Sequence, residues 1–170
     1  MSLALVQSRA LLGMLAPSVT VEVHLANGLP SFTLVGLAEV EVKEARERVR
    51  SALQNAGLEF PHNKRITVNL APADLPKDSG RFDLPIALGI LAASGQVDAS
   101  RLAGYEFAGE LSLSGELRPV AHGALRLKEA GKLGFERAMV PIALAKDDSA
   151  LRLTGFRTLG QFVDHMLGRG

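Results

Sequence analysis

Residues 19–25 read V-T-V-E-V-H-L, a period-two alternation that sets Val19, Val21, Val23 and Leu25 on one face and Thr20, Glu22 and His24 on the other. That pattern predicts a half-buried strand. Residues 3–12 predict a strand before it, and residues 31–35, after Asn27-Gly28, a strand behind it. The three are expected to form an antiparallel, hairpin-linked sheet. From Glu39 to Ala56 the period becomes helical, with Val42, Ala45, Val49, Ala52, Leu53 and Ala56 on one stripe and Gly57 as the cap. Glu39/Lys43 and Glu44/Arg48 stand four residues apart, and this charged side predicts a solvated face.

A strand at 65–70 precedes the loop APADLPKDSGR, and an apolar helix follows at 84–94. Asp83 is positioned as its N-cap, with Pro85 tolerated in the first turn. Further along, 106–113 and 116–120 predict a hairpin around Ser114-Gly115. A helix at 122–132, strands at 137–140 and 151–153, and a terminal helix at 159–167 complete the order. The fold class is α+β, mixed α/β, with hairpin strands followed by alternating helices and strands. The 170 residues are expected to form one domain, with 164–170 as the start of a linker.

Composition narrows the chemistry. With no cysteine, a disulfide scaffold, a thiolate zinc site and a cysteine nucleophile are excluded, and a reducing compartment, the cytoplasm, is expected. Nineteen basic against eighteen acidic residues leave no charged tail, so any nucleic-acid contact is local. One Tyr, seven Phe and no Trp argue against a base-stacking platform. The longest apolar run, 84–93, is about half of the roughly 20 residues a bilayer crossing needs. No membrane association is expected.

The only Gly-Lys pair, Gly131-Lys132, lacks the upstream glycine and following hydroxyl of a phosphate-binding loop. His24, His62, His122 and His165 have no metal-ligand spacing. Ser79 beside Lys77 is the one serine in a tight loop before a helix, and it is read as a turn serine next to an exposed lysine. Asp74, Asp78 and Asp83, with Gly80, are read as the loop's caps and salt bridges.

The stretch GLPSFTLVGLAEVEVKEARERVRSALQNAGLEFPHNKRITVNLAPADLPKDSGRFDLPIALGILAASG and the later YEFAGELSLSGELRPVAHGALRLKEAG resemble the N-terminal domain of the bacterial magnesium-chelatase-like AAA+ proteins, the family called YifB or ComM. The block NLAPADLPKDSGRFDLPIALGIL is similar to that family's hallmark, and residues 142–170 match it loosely. The resemblance implies a fold like the proteolytic domain of Lon and the C-terminal domain of RadA, in a superfold shared with a ribosomal protein. Lon works through a Ser-Lys dyad. Alignment on the P-K-D and later G-E and Pro anchors puts Arg81 at the nucleophile position and Ala124 at the lysine position, so this chain is expected to be non-catalytic.

The resemblance further implies an AAA+ motor elsewhere in the protein that uses ATP and magnesium. It also implies a hexameric ring of like subunits and a role in natural transformation as a DNA branch-migration helicase. This chain itself would bind no cofactor. Its expected contacts to DNA or to neighbouring subunits are Lys64, Arg65, Lys77, Arg81 and Arg118, basic residues at loops and strand ends. The alternatives are a module that only oligomerises or recruits a partner, and a relict Lon-type peptidase using Ser79.

Overall fold

The computed structural model describes residues 2–10, 17–75, 77, 80–103, 105–118, 137–141, 152–156 and 158–166. The first sheet is built from β1 (Ser2–Arg9), β2 (Ser18–Ala26), β3 (Ser31–Val35) and β4 (Arg65–Ala71). The alternation in β2 is realised as expected, with Val19, Val21, Val23 and Leu25 all buried. β1 and β2 form an antiparallel hairpin pair, and the Ala10 amide closes it on the Pro17 carbonyl at 3.1 Å.

The expected hairpin between β2 and β3 does not form. The strand order is β1-β2-β4-β3, with β4 antiparallel to β2 and parallel to β3. A two-residue turn at Asn27-Gly28 would start the next strand at once, but Leu29 and Pro30 follow and β3 opens only at Ser31. The longer link steps across two strand spacings, roughly 10 Å, and leaves the central place to β4. The inward residues of β4, Ile66, Val68 and Leu70, complete cross-strand rows such as Ala4, Val23, Val68 and Leu34.

A parallel neighbour needs a crossover, which α1 (Glu39–Asn55) supplies between β3 and β4. Its stripe of Ala45, Val49, Ala52 and Leu53 is buried, and Gly57 takes a positive φ of 77° behind it, as the cap requires. α2 (Asp83–Ala93) packs on β1, β2 and α1, and every residue from Asp83 to Leu91 is buried. A helix apolar on all sides belongs in such a sandwich. The opposite face of the sheet carries half-buried Thr20, Glu22, His24, Thr67 and Asn69, with exposed Leu3 and Leu5 on β1.

The stretch expected as one strand at 106–113 divides in two. β5 (Tyr105–Phe107) joins a parallel sheet with β8 (Arg137–Pro141) and β9 (Arg152–Phe156) in the order β5-β8-β9. β6 (Glu110–Leu111) pairs with β7 (Leu117–Arg118) around Gly115. The break falls at Gly109, whose N–H donates to Arg81 and whose carbonyl accepts from Leu84, both at 3.0 Å. Those bonds draw the chain away from β5 towards the start of α2. The buried Arg9 and Glu106 form an ion pair at 2.7 Å that ties β1 to β5. The terminal helix, α3 (Leu159–Met166), lies where its periodicity places it, and the expected helix at 122–132 lies outside the described residues.

Gly89 shows how tightly α2 seats on the sheet. A Cβ there would collide with Val23 Cγ2 and stand 3.2 Å from Val23 Cβ. On an exposed helix Gly→Ala gains up to about 1 kcal/mol, but here overpacking decides the sign. Gly89→Ala is expected to destabilise the chain by about 1–3 kcal/mol. Urea unfolding reads this as a lower midpoint, and an unchanged or raised midpoint would show that α2 can lift off β2 without cost.

Candidate functional site: the junction before the buried helix

Between β4 and α2 the chain passes through the loop that carries most of the candidate residues, then a 3-10 turn at Gly80–Phe82. The turn runs directly into the helix, so Phe82 occupies the N-cap position with φ −90° and ψ −2°, and no side chain caps it. Asp83 is therefore the first residue of α2 rather than its cap. Its carboxylate turns sideways and accepts from Arg48 Nε at 2.6 Å, Arg48 Nη2 at 3.3 Å and the Leu111 N–H at 3.1 Å. One buried acid thus joins α1, α2 and β6.

Burial pushes the Asp83 carboxyl up to about 7, against the opposing pull of Arg48 and of the Leu111 amide. The Arg48 guanidinium is held above its ordinary value: burial alone would lower it, but the Asp83 hydrogen bond and charge more than offset that. Arg48 was expected on the solvated face with Glu44, and that pairing survives only as a long 3.8 Å contact. Its side chain is 18% exposed. The missed signal is the spacing itself, because Arg48 falls between Ala45 and Ala52 on the stripe 45, 48, 49, 52. An arginine inside a buried stripe needs a buried acid.

Lys77 was expected to be exposed and available to phosphate. It is 6% exposed, and its Nζ donates to the carbonyls of Pro72 and, at 2.9 Å, Leu75. The loop curls over its own ammonium, whose pKa burial lowers, with Asp74 opposing. Arg81 is 2% exposed, so it too is withdrawn from any outside anion. Gly80 allows Glu110 to lie against the turn, where a Cβ would meet that carboxylate oxygen at 2.5 Å. Asp74 is exposed, while Asp78, Ser79 and Ala124 lie outside the described residues.

Lys64 and Arg65 therefore do not share one surface with Lys77 and Arg81, and nothing described places the Arg118 side chain. Lys64 and Arg65 sit at the start of β4, about 20 Å along the strand from the loop that buries Lys77 and Arg81. Arg118 pairs through its backbone with Glu110 in the β6–β7 ladder. Arg65 is exposed, and Lys64 is half-buried with its Nζ on Asn27 Oδ1 at 2.7 Å.

That end of β4 borders a half-open cleft of about 600 Å³. It is lined by Gln54 of α1, by residues 59–64 of the following loop, by the end of α2 and the residues just past it, and by Ser2, Leu25 and Ala26 of β1 and β2. Gln96 fixes one wall, accepting the Glu59 N–H at 3.0 Å and donating to the Glu59 carbonyl at 2.8 Å. Among the described residues no three His, Asp or Glu side chains converge as a metal site, and no helix is long and apolar enough to cross a membrane.

Residues 21–143 match the family model described as subunit ChlI of Mg-chelatase. The chain belongs to this magnesium-chelatase-like family. It is 67% identical over 125 residues to the competence protein ComM of Haemophilus influenzae, covering 74% of this chain and 24% of that protein. It is 55% identical over 148 residues to the protein YifB of Escherichia coli, covering 87% of this chain and 28% of that one. The chain thus spans about a quarter of the length of these curated relatives. A shorter match, 48% identical over 58 residues, covers 33% of this chain and 13% of the DNA repair protein RadA of Pseudomonas aeruginosa.

Removing Arg48 would leave the Asp83 carboxylate buried without its counter-charge. Arg48→Ala is expected to cost about 3–5 kcal/mol at alkaline pH and less on acidification, as Asp83 takes up a proton. In the wild type the folded pKa of Asp83, about 7, lies above its ordinary 3.8. Its contribution to stability is therefore complete below the ordinary value and is lost as pH rises through the folded one. Urea unfolding across that range should show the stability of the wild type relative to Asp83→Asn falling with rising pH. A difference that rises with pH would mean that Arg48 outweighs burial.

Proposed function

We propose that this chain is a non-catalytic accessory domain of an AAA+ ATPase that assembles into a ring, in full length a hexamer, and helps it hold DNA in the bacterial cytoplasm. The domain fills residues 1–170 and has the superfold of the Lon proteolytic domain and the RadA C-terminal domain. ATP and magnesium are used by the motor and not by this chain. The observation that carries the reading is the similarity to a protein named for competence, joined by the shorter similarity to a DNA repair protein. Both names point to DNA, and the mixed α/β architecture is compatible with the RadA-type fold.

The non-catalytic part rests on the junction. A nucleophile has to meet its substrate, whereas Arg81, at the position a Lon-type serine would take, is packed inside and its carbonyl accepts from Gly109. Of the four basic candidates whose burial is described, Lys64 and Arg65 keep the exposure that phosphate contact needs. Lys77 and Arg81 serve the loop instead.

One observation favours the peptidase alternative: the pKa of Lys77 is lowered by burial, as a lysine base requires. Its Nζ, however, is directed at two carbonyls. Labelling by an active-site serine reagent that disappears in Ser79→Ala would establish that alternative, and no labelling is the expected result.

For DNA, the logarithm of affinity of the full-length protein for single-stranded or forked DNA should fall linearly with the logarithm of salt concentration. Lys64→Ala and Arg65→Ala should each lower the slope by about one. Sedimentation with Mg-ATP should show a ring, in these variants as in the wild type. Assembly without any DNA binding at low salt would leave only the oligomerisation role.

A further inference from the structure

We propose that the cleft between the loop 57–64 and the end of α2 seats one nucleotide of a DNA strand, with its phosphate at Lys64 and its base edge at the side-chain amides of Gln54 and Asn63. The proposal rests on the DNA-holding reading above and gives it a place. A volume of about 600 Å³ suits a small ligand with both apolar and polar parts.

Each end of such a ligand finds its chemistry in the lining. Lys64 donates one of its three ammonium protons to Asn27, which fixes the charge at the rim and leaves two donors for a phosphate. Gln54 and Asn63 are exposed in the lining, and among the described residues their amides make no hydrogen bond to protein. An amide offers an acceptor and two donors, which can pair with the edge of any base. Pro61 and Ala26 give the sugar and base an apolar surface. Glu59, the one carboxylate in the lining, opposes a second phosphate and so limits the site to a single nucleotide.

The cleft is also preformed, which lowers the ordering cost of binding. Gln96 holds the Glu59 backbone from both sides, and Ser2 Oγ donates to the Ala93 carbonyl beneath. Phe60, itself part of the lining, packs on Phe32 at 5.4 Å between ring centres, and the Arg50 guanidinium lies 5.3 Å from the Phe60 centroid.

The test uses the full-length protein, a short fluorescent single strand and anisotropy. The double variant Gln54→Ala, Asn63→Ala changes two exposed side chains and is expected to fold as the wild type, as checked by thermal unfolding. It should bind about three- to tenfold more weakly at fixed salt, the equivalent of one or two hydrogen bonds, with the salt slope unchanged. Wild-type affinity in the double variant overturns the cleft assignment, and if Lys64→Ala and Arg65→Ala still lower the slope, the DNA-holding reading stands without it. No binding at any salt overturns both.

Discussion

A single buried carboxylate fixes how the layers of this molecule meet. Asp83 begins α2, and its oxygens reach across to Arg48 on α1 and to the backbone of Leu111 in β6. The crossover helix, the central helix and the short hairpin are thereby tied at one point, inside the core. Apolar packing around it is non-directional and would tolerate small slides of α1 over α2, whereas two hydrogen bonds to a planar guanidinium do not. The arrangement bears a desolvation cost, visible in the upward displacement of the Asp83 carboxyl. What it contributes is register.

The same need for internal pairing explains why the loop is a poor surface for anions. Lys77 is spent on the carbonyls of its own loop, and Arg81 is enclosed by the turn that leads into α2. Charge count along a sequence treats these residues as equal to Lys64 and Arg65. Burial separates them: two hold the junction together, and two face outward beside a cleft at the far end of β4. The basic residues of the loop thus serve shape, and those at the start of β4 are left for recognition.

Elements whose pattern is set by one neighbouring layer were legible in the sequence. The alternation of β2 and the all-round apolar character of α2 named buried residues, and so did the α1 stripe at Ala45, Val49, Ala52 and Leu53, with Val42 and Ala56 at its ends only partly buried, because burial of a face depends mainly on local period. Pairing was not legible in the same way. The partner of β3 is chosen by β4, some thirty residues later, and no local feature of 31–35 encodes it. The role of Asp83 was missed for a similar reason: a cap is a local expectation, and its actual partner lies 35 residues away. Arg48 could have been found, since its place on the buried stripe contradicts its charge.

The insertion of β4 between β2 and β3 bears on how the chain assembles during synthesis. When the first three strands have emerged, only β1 and β2 have a partner, and a two-stranded hairpin is marginal in water. β3 must wait with its edge open until α1 and β4 have been made. The β1–β2 pair gains its helical cover only when α2 arrives, with Asp83 at its head. Cooperative closure of the sheet is therefore postponed until α2 has been translated. The nascent chain meets this delay with Pro30 ahead of β3 and the charged helix α1 behind it, both of which discourage pairing with a stranger.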